Sequence, residues 1–144
     1  MASNPNLPVL MFVAHRHVEA QVMTALAAAG YVDITLAQAR VLQRIAPDGT
    51  RLTILAEQAQ VTKQSAGFLI DQLERVGYVE RVPDPTDARA RLVRIAARGL
   101  AAGVVAAEVI EQVERDWRAH LGDSAYDELA GTMEKLREIT DPYA

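Results

Sequence analysis

Two groups of side chains in this sequence could do chemistry, and both are donor groups. Thr62-Lys63-Gln64-Ser65 places four hydrogen-bond donors in a row with no carboxylate among them, and Arg89, Arg91 and Arg94 follow in a short basic stretch. Hydroxyl, ammonium, carboxamide and guanidinium groups in such density recognise anions and base edges; they are not a nucleophile with its base. The Ser and Asp residues form no nucleophile motif, and there is no glycine loop that would cradle a phosphate. His15 and His17 stand two residues apart, on different faces of a helix, and His120 is remote, which is poor metal-ligand spacing. The chain has no cysteine, so disulfides, thiolate metal sites and thiol redox switches are excluded. No catalysis, metal or cofactor is expected.

The elements that must position these groups follow from periodicity and punctuation. Thr53 can cap a two-turn helix ending near Gln60, and Thr62 can cap the next, which continues to Val76. Together they read as a helix-turn-helix. In the second helix Ala66, Leu69, Ile70, Leu73 and Val76 follow core spacing. Gln64, Gly67, Phe68, Asp71, Gln72 and Arg75 are left outward, with the donor group at the helix start. Gly77 marks the end. Tyr78–Val82 alternates like a strand, 83–88 is a turn cluster, and 91–95 alternates again, which predicts a hairpin with Arg89 at its tip. Upstream, a helix is predicted from Val9 to Ala29, closed by Gly30. A second runs from Leu36 to about Ile45, opened by the capping box Thr35-Leu36-Ala37-Gln38. Downstream, a helix of about 36 Å spans Arg98 to Leu121, and a last one, capped by Asp123 or Ser124, runs toward Pro142.

The fold class expected is mainly α with a small β-hairpin wing: a winged helix-turn-helix over 33–98 plus a helical dimerisation region over 9–32 and 99–141. The terminal helices carry more apolar surface than one small core needs, including Ala106, Ile110, Val113, Trp117 and Leu121 with a second line at Ala101, Val105 and Val109. That surplus suggests a homodimer joined through the chain ends. No apolar run reaches the roughly 18 residues of a membrane span, and the first residues lack a signal-peptide pattern, so a cytoplasmic location is expected.

The net charge is −4, which argues against indiscriminate binding to nucleic acid, but the total conceals a division. Residues 62–98 carry seven basic and five acidic side chains, whereas 99–144 carry four and ten. A polyanion responds to the local field. Double-stranded DNA is therefore the expected partner of Thr62, Lys63, Gln64, Ser65 and Phe68 in one groove and of Arg89, Arg91 and Arg94 on the hairpin. Gln64 has the geometry for a bidentate contact to adenine, and Lys63 reaches guanine or phosphate. Phe68 either touches a thymine methyl or packs under the wing. Arg89 suits a narrow minor groove, Asp87 is placed to brace the loop, and Arg94 and Arg98 are placed to neutralise phosphates. A winged helix that uses its arginines on an acidic protein partner, without specific DNA binding, is the alternative.

Leu55-Ala56, Thr62-Lys63-Gln64-Ser65, Leu73-Glu74, Gly77-Tyr78-Val79-Glu80-Arg81, Asp84-Pro85, Asp87, Arg89 and Gly99 carry a resemblance to the MarR family of winged-helix transcriptional regulators. The likeness implies a homodimer joined by its N- and C-terminal helices. It also implies binding to pseudo-palindromic operators, usually in repression, and release by a small-molecule effector that is often aromatic or phenolic. Gly67 and Phe68 stand where the family often has a small hydroxyl residue and an arginine, so base preference does not transfer. Ala96 replaces a frequent threonine, and no motif assigns effector-binding residues.

Overall fold

The computed structural model describes residues 4–143. Helix α1 (Leu7–Ala28) begins where the Asn6 side chain accepts a hydrogen bond from the Val9 amide at 3.1 Å. Pro8 lies in the first turn, where its missing N–H costs nothing. Gly30, at φ +96°, takes the left-handed position past the helix end, and Tyr31 N–H closes back on the Leu26 carbonyl. Helix α2 (Leu36–Leu42) opens with the predicted reciprocal cap: Thr35 Oγ1 accepts from the Gln38 amide, and Gln38 Oε1 accepts from the Thr35 amide. It stops three residues earlier than the periodicity suggests.

Helix α3 (Leu52–Gln58) departs from its expected cap. Arg51, not Thr53, holds the cap position, with no side-chain cap bond. The cause is long-range. Thr50 is held extended by two backbone bonds to Val93, at 2.9 and 2.8 Å, so the helix starts as soon as that bridge releases the chain. After a tight turn through Gln60 (φ +56°) comes α4 (Lys63–Arg75), capped by Thr62, which accepts from the Ser65 amide at 3.0 Å.

Strands β1 (Val79–Asp84) and β2 (Asp87–Ile95) pair antiparallel. The predicted six-residue turn is much tighter: only Pro85 and Thr86 separate the strands. The register runs regularly from Val79↔Ile95 to Pro83↔Arg91, then jumps to Asp84↔Asp87. Ala88, Arg89 and Ala90 are therefore surplus to the pairing and bulge from β2. Arg89 lies on this bulge and not at the hairpin tip. Helix α5 (Ala97–Leu121) follows, then α6 (Asp123–Thr140). Gly122, at φ +88°, occupies the position before α6, so Asp123 and Ser124 lie within its first turn and neither caps it.

The chain divides into two compact units, Met1–Ala106 and Ala107–Ala144, with the boundary inside the continuous helix α5. The core of the first gathers Leu26, Ile34, Val41, Leu55, Ile70, Leu73, Tyr78, Val79, Val93 and Ala102. Leu55, Ile70 and Leu73 are wholly buried, each contributing about 1.5–3 kcal/mol in apolar transfer. In the second unit Arg118 pairs with Asp123 and Asp127 and covers the Tyr126 ring at 4.4 Å, while α6 has no fully buried residue.

One polar knot ties the first unit together. The buried Tyr78 hydroxyl donates to Asp33 Oδ1 at 2.6 Å, and Arg98 holds both oxygens of the same carboxylate at 2.9 and 3.0 Å. Arg98 also donates to the Val76 carbonyl and stacks 4.4 Å over the Tyr78 ring. This corrects the expectation that Arg98 meets phosphate: its charge is paired with Asp33, and three of its N–H donors are committed inside the protein. Burial, and then the Asp33 hydrogen bond, push the Tyr78 hydroxyl up to about 12, so it remains a donor throughout the neutral range. The bonds from Tyr78 and Arg98 hold Asp33 below the usual carboxylate range.

Gly99 lets α5 start against this knot. A β-carbon there would stand 2.3 Å from the Tyr78 carbonyl oxygen and 2.8 Å from Ile95 Cγ2. Gly99→Ala is expected to destabilise the protein by about 1–3 kcal/mol through overpacking. Gly103→Ala, one turn later with open space around it, should instead gain up to about 1 kcal/mol of helix propensity. Urea unfolding of the two variants tests the contrast, and equal midpoints would contradict it.

Candidate nucleic-acid interface

The start of α4 presents a run of exposed donors. Thr62, Lys63, Gln64 and Ser65 are all exposed, and no acidic side chain lies in the first turn. Thr62 Oγ1 accepts from the Ser65 amide while donating to Ser65 Oγ at 2.9 Å. The Ser65 hydroxyl proton therefore remains available, as do the Lys63 ammonium and the Gln64 carboxamide. Free amides and the positive end of the helix dipole add to the field here. Along the helix, Gln64, Phe68, Asp71 and Arg75 form an exposed stripe opposite the buried Ala66, Ile70 and Leu73. Phe68 is 63% exposed. Of the two placements open to it, packing under the wing is not the one found.

Gln72, expected outward, is half-buried. Its Oε1 accepts from Gln38 Nε2 at 3.0 Å, and Gln38 is itself fixed by the α2 capping box. This amide relay couples α2 to α4 and sets the rotation of the α4 helix. Arg81 does the same from the hairpin side. It donates to Asp71 and to Glu74, both at 2.7 Å, binding α4 to β1.

The wing is braced at its root. Buried Asp84 accepts from the Thr86 amide at 2.8 Å, the Thr86 hydroxyl at 2.7 Å, and Arg51 Nε at 2.8 Å. Asp87 Oδ1 accepts from the Arg89 amide at 3.0 Å, and its other oxygen lies 3.8 Å from Arg51. Asp87 thus fixes the backbone from which Arg89 projects, while Asp84 carries the heavier share. The Asp-Pro-Thr order is a local hint of that turn; Arg51, thirty-odd residues away, has no sequence signal. Arg89 and Arg91 are exposed and make no ion pair among the described residues. Arg94, expected at a phosphate, is bound across the hairpin to Glu80 at 2.9 Å through Nε, so part of its charge is already answered.

His15 Nε2 lies 3.5 Å from Glu19, whose carboxylate is held by Arg40 and for that reason titrates below its usual range. His17 and His120 are exposed on separate helices. No helix of the described residues is long and apolar enough to cross a membrane.

The Asp84 carboxyl is held down to about 2, first by its two bonds from Thr86 and then by Arg51. Because this lies below the value of about 3.9 for an unfolded Asp, its contribution is complete above roughly pH 4 and is lost as pH falls toward 2. Thermal melts from pH 5 to pH 2 should fall more steeply for the wild type than for Asp84→Asn. Parallel curves would remove Asp84 from the wing's support.

Comparison with known proteins places this geometry. Residues 32–90 match the MarR family. The reduced form of MarR from E. coli superposes with a TM-score of 0.73 at 23% identity, over 94% of this chain and 98% of that one. A Mycobacterium tuberculosis MarR family protein in complex with salicylic acid gives 0.65 at 26% identity, over 94% and 99%. A mutant of S. aureus MepR bound to an oligodeoxyribonucleotide gives 0.60 at 17%, over 94% and 98%. A search of curated proteins found no match. The helix-turn-helix, the braced hairpin and the matched segment agree: residues 32–90 carry the winged helix-turn-helix of the MarR family, and the chain is similar in fold to that family's transcriptional regulators along nearly its whole length.

Proposed function

We propose that the protein is a homodimeric repressor of a pseudo-palindromic operator, relieved by a small aromatic ligand. The observation that carries the DNA-binding part is electrostatic. All five carboxylates of the 62–98 stretch are ion-paired: Asp71 and Glu74 with Arg81, Glu80 with Arg94, and Asp84 and Asp87 with Arg51. Lys63, Arg75, Arg89 and Arg91 are exposed and make no ion pair among the described residues. The surface on which a helix start and a bulged wing are displayed is therefore cationic in effect, although the whole chain is acidic. Thr62, Lys63, Gln64, Ser65 and Phe68 enter a major groove, and Arg89 enters the neighbouring minor groove. Arg91 meets phosphate. Arg94 is the weakest member of the set, since a phosphate contact would compete with Glu80.

Dimerisation draws on the terminal helices, 9–32 and 99–141. Leu10, Phe12 and Val13 on α1 are exposed, and so are Leu129, Met133 and Ile139 on α6. A two-fold dimer requires inverted half-sites about one helical turn apart, on the order of 34 Å. The salicylic acid held by the Mycobacterium tuberculosis relative supports an aromatic acid as effector, acting by differential affinity for two dimer conformations. The protein works as a regulator and not as an enzyme, in the cytoplasm.

Selection from a random duplex pool should enrich an inverted repeat, and sedimentation at micromolar concentration should show a dimer. On the selected duplex, Arg89→Ala is expected to weaken binding markedly and to reduce the log–log salt slope by about 0.9 or less, one phosphate equivalent. Gln64→Ala should shift the selected sequence instead. Unchanged affinity and slope for Arg89→Ala in fluorescence anisotropy would overturn its role. Failure to enrich any duplex would hand the wing arginines to an acidic protein partner.

A further inference from the structure

Phe68 is the one feature of the α4 surface that neither charge nor folding accounts for. The geometry points to Phe68 as a specificity-determining residue that reads the 5-methyl group of a thymine in each half-site, an inference that rests on the DNA-binding reading above. Three observations carry it. The ring is 63% exposed and sits on the outermost stripe of α4, one turn beyond Gln64 and one turn before Asp71. The residue beside it is Gly67, whose missing β-carbon would meet nothing closer than Leu52 Cδ2 at 3.6 Å. A β-carbon there would make only ordinary contact with Leu52, so packing does not demand glycine, and the bare backbone adds no bulk beside the ring. Finally, Asp71, the nearest carboxylate along the stripe, is already held by Arg81, so no unpaired anion on that stripe keeps a base edge away.

An isolated apolar side chain on a surface needs no explanation in general. On a helix start lined with donors, its position is informative. The polar groups at base edges in the major groove are donors and acceptors that a phenyl ring cannot satisfy; the thymine methyl is the apolar exception. Gln64 and Phe68 are four residues apart, about 6 Å along the helix axis, whereas base pairs step by about 3.4 Å. An adenine read by Gln64 would therefore lie one or two steps from the thymine read by Phe68. Because no guanidinium stands at this point of the helix, base choice here comes from a methyl group and not from a guanine edge.

The test uses the full-length protein and the duplex recovered from random-pool selection. Each half-site thymine is replaced in turn by deoxyuridine, which removes only the methyl, and affinities are read by fluorescence anisotropy. In the wild type, one position per half-site should lose about fourfold in affinity, the factor for withdrawing a single buried methyl. Phe68→Ala should bind the parent duplex more weakly and be indifferent to deoxyuridine at that same position. A wild type that binds its selected duplex tightly yet ignores every deoxyuridine substitution would overturn the methyl contact while leaving the regulator reading intact. So would a Phe68→Ala protein that still discriminates. If no duplex is selected at all, it is the DNA-binding reading that has failed, and this inference falls with it.

Discussion

Asp33 carries the structure of the first unit on one carboxylate. It lies between α1 and α2, accepts the hydroxyl of Tyr78 just beyond α4, and takes both ends of the Arg98 fork from the first turn of α5. Three chain segments far apart in sequence thus meet on two oxygens. A buried tyrosine hydroxyl would cost several kcal/mol if left without a partner, and a bidentate guanidinium is among the strongest ways to hold a carboxylate. The arrangement also sets direction. A point contact would allow the start of α5 to swivel; a fork bound to a planar carboxylate, with its own plane against the Tyr78 ring, does not. Gly99 completes the constraint by letting the helix backbone touch the Tyr78 carbonyl. The side of the α4 helix that faces away from this knot is thereby fixed in its exposure.

A second constraint governs the outward face, and it concerns which charges are spent. Counting ionisable residues in 62–98 gives a small positive excess that could belong to any solvated surface. Pairing changes the weight of that number. Each acidic side chain in the stretch is held by an arginine, and all three of those arginines also fasten one element to another: Arg81 joins α4 to β1, Arg94 joins β2 to β1, and Arg51 joins the start of α3 to the wing. Exposed pairs of this sort contribute little stability individually. Their larger effect is geometric and electrostatic, since they remove negative charge from the neighbourhood of Lys63, Arg89 and Arg91 while holding the wing in place. The bulge in β2 follows the same logic. Asp84 and Asp87 clamp the hairpin end tightly, and the three unpaired residues that result project Arg89 from the strand.

Much of this was legible in the sequence wherever the controlling interaction is local. Thr35 with Gln38, Thr62 with Ser65, and the glycines at positions 30 and 77 act within one turn, and the helices they bound came out close to expectation. The donor face of α4 was equally readable, because core spacing leaves Gln64 and Phe68 no other side. Errors fall where a distant residue intervenes. Thr53 lost its capping role because Thr50 is bridged to Val93. The hairpin turn shrank because Arg51 and Thr86 gather around Asp84. Arg98 looks from its neighbours like a phosphate ligand, yet Asp33, sixty-five residues earlier, claims it. Nothing in a local window distinguishes an arginine that will face solvent from one that a remote carboxylate will capture.

The distribution of burial separates two kinds of surface, and the distinction bears on how regulation would work. In the first unit Leu55, Ile70, Leu73 and Tyr78 are sealed within a single chain, so the reading helix does not wait for a partner to acquire its core. The apolar side chains of α1 and α6 are different. Leu10, Phe12, Val13, Leu129 and Met133 stand exposed in the isolated chain, and apolar area of this kind gains about 25 cal/mol for each square ångström removed from water. A second copy would thus complete the terminal helices without rebuilding the reading head. In the proposed dimer a ligand need not unfold or refold α4 to change affinity. It need only alter how far apart two preformed heads are held, and a spacing error against a fixed duplex repeat is costly while each head stays intact.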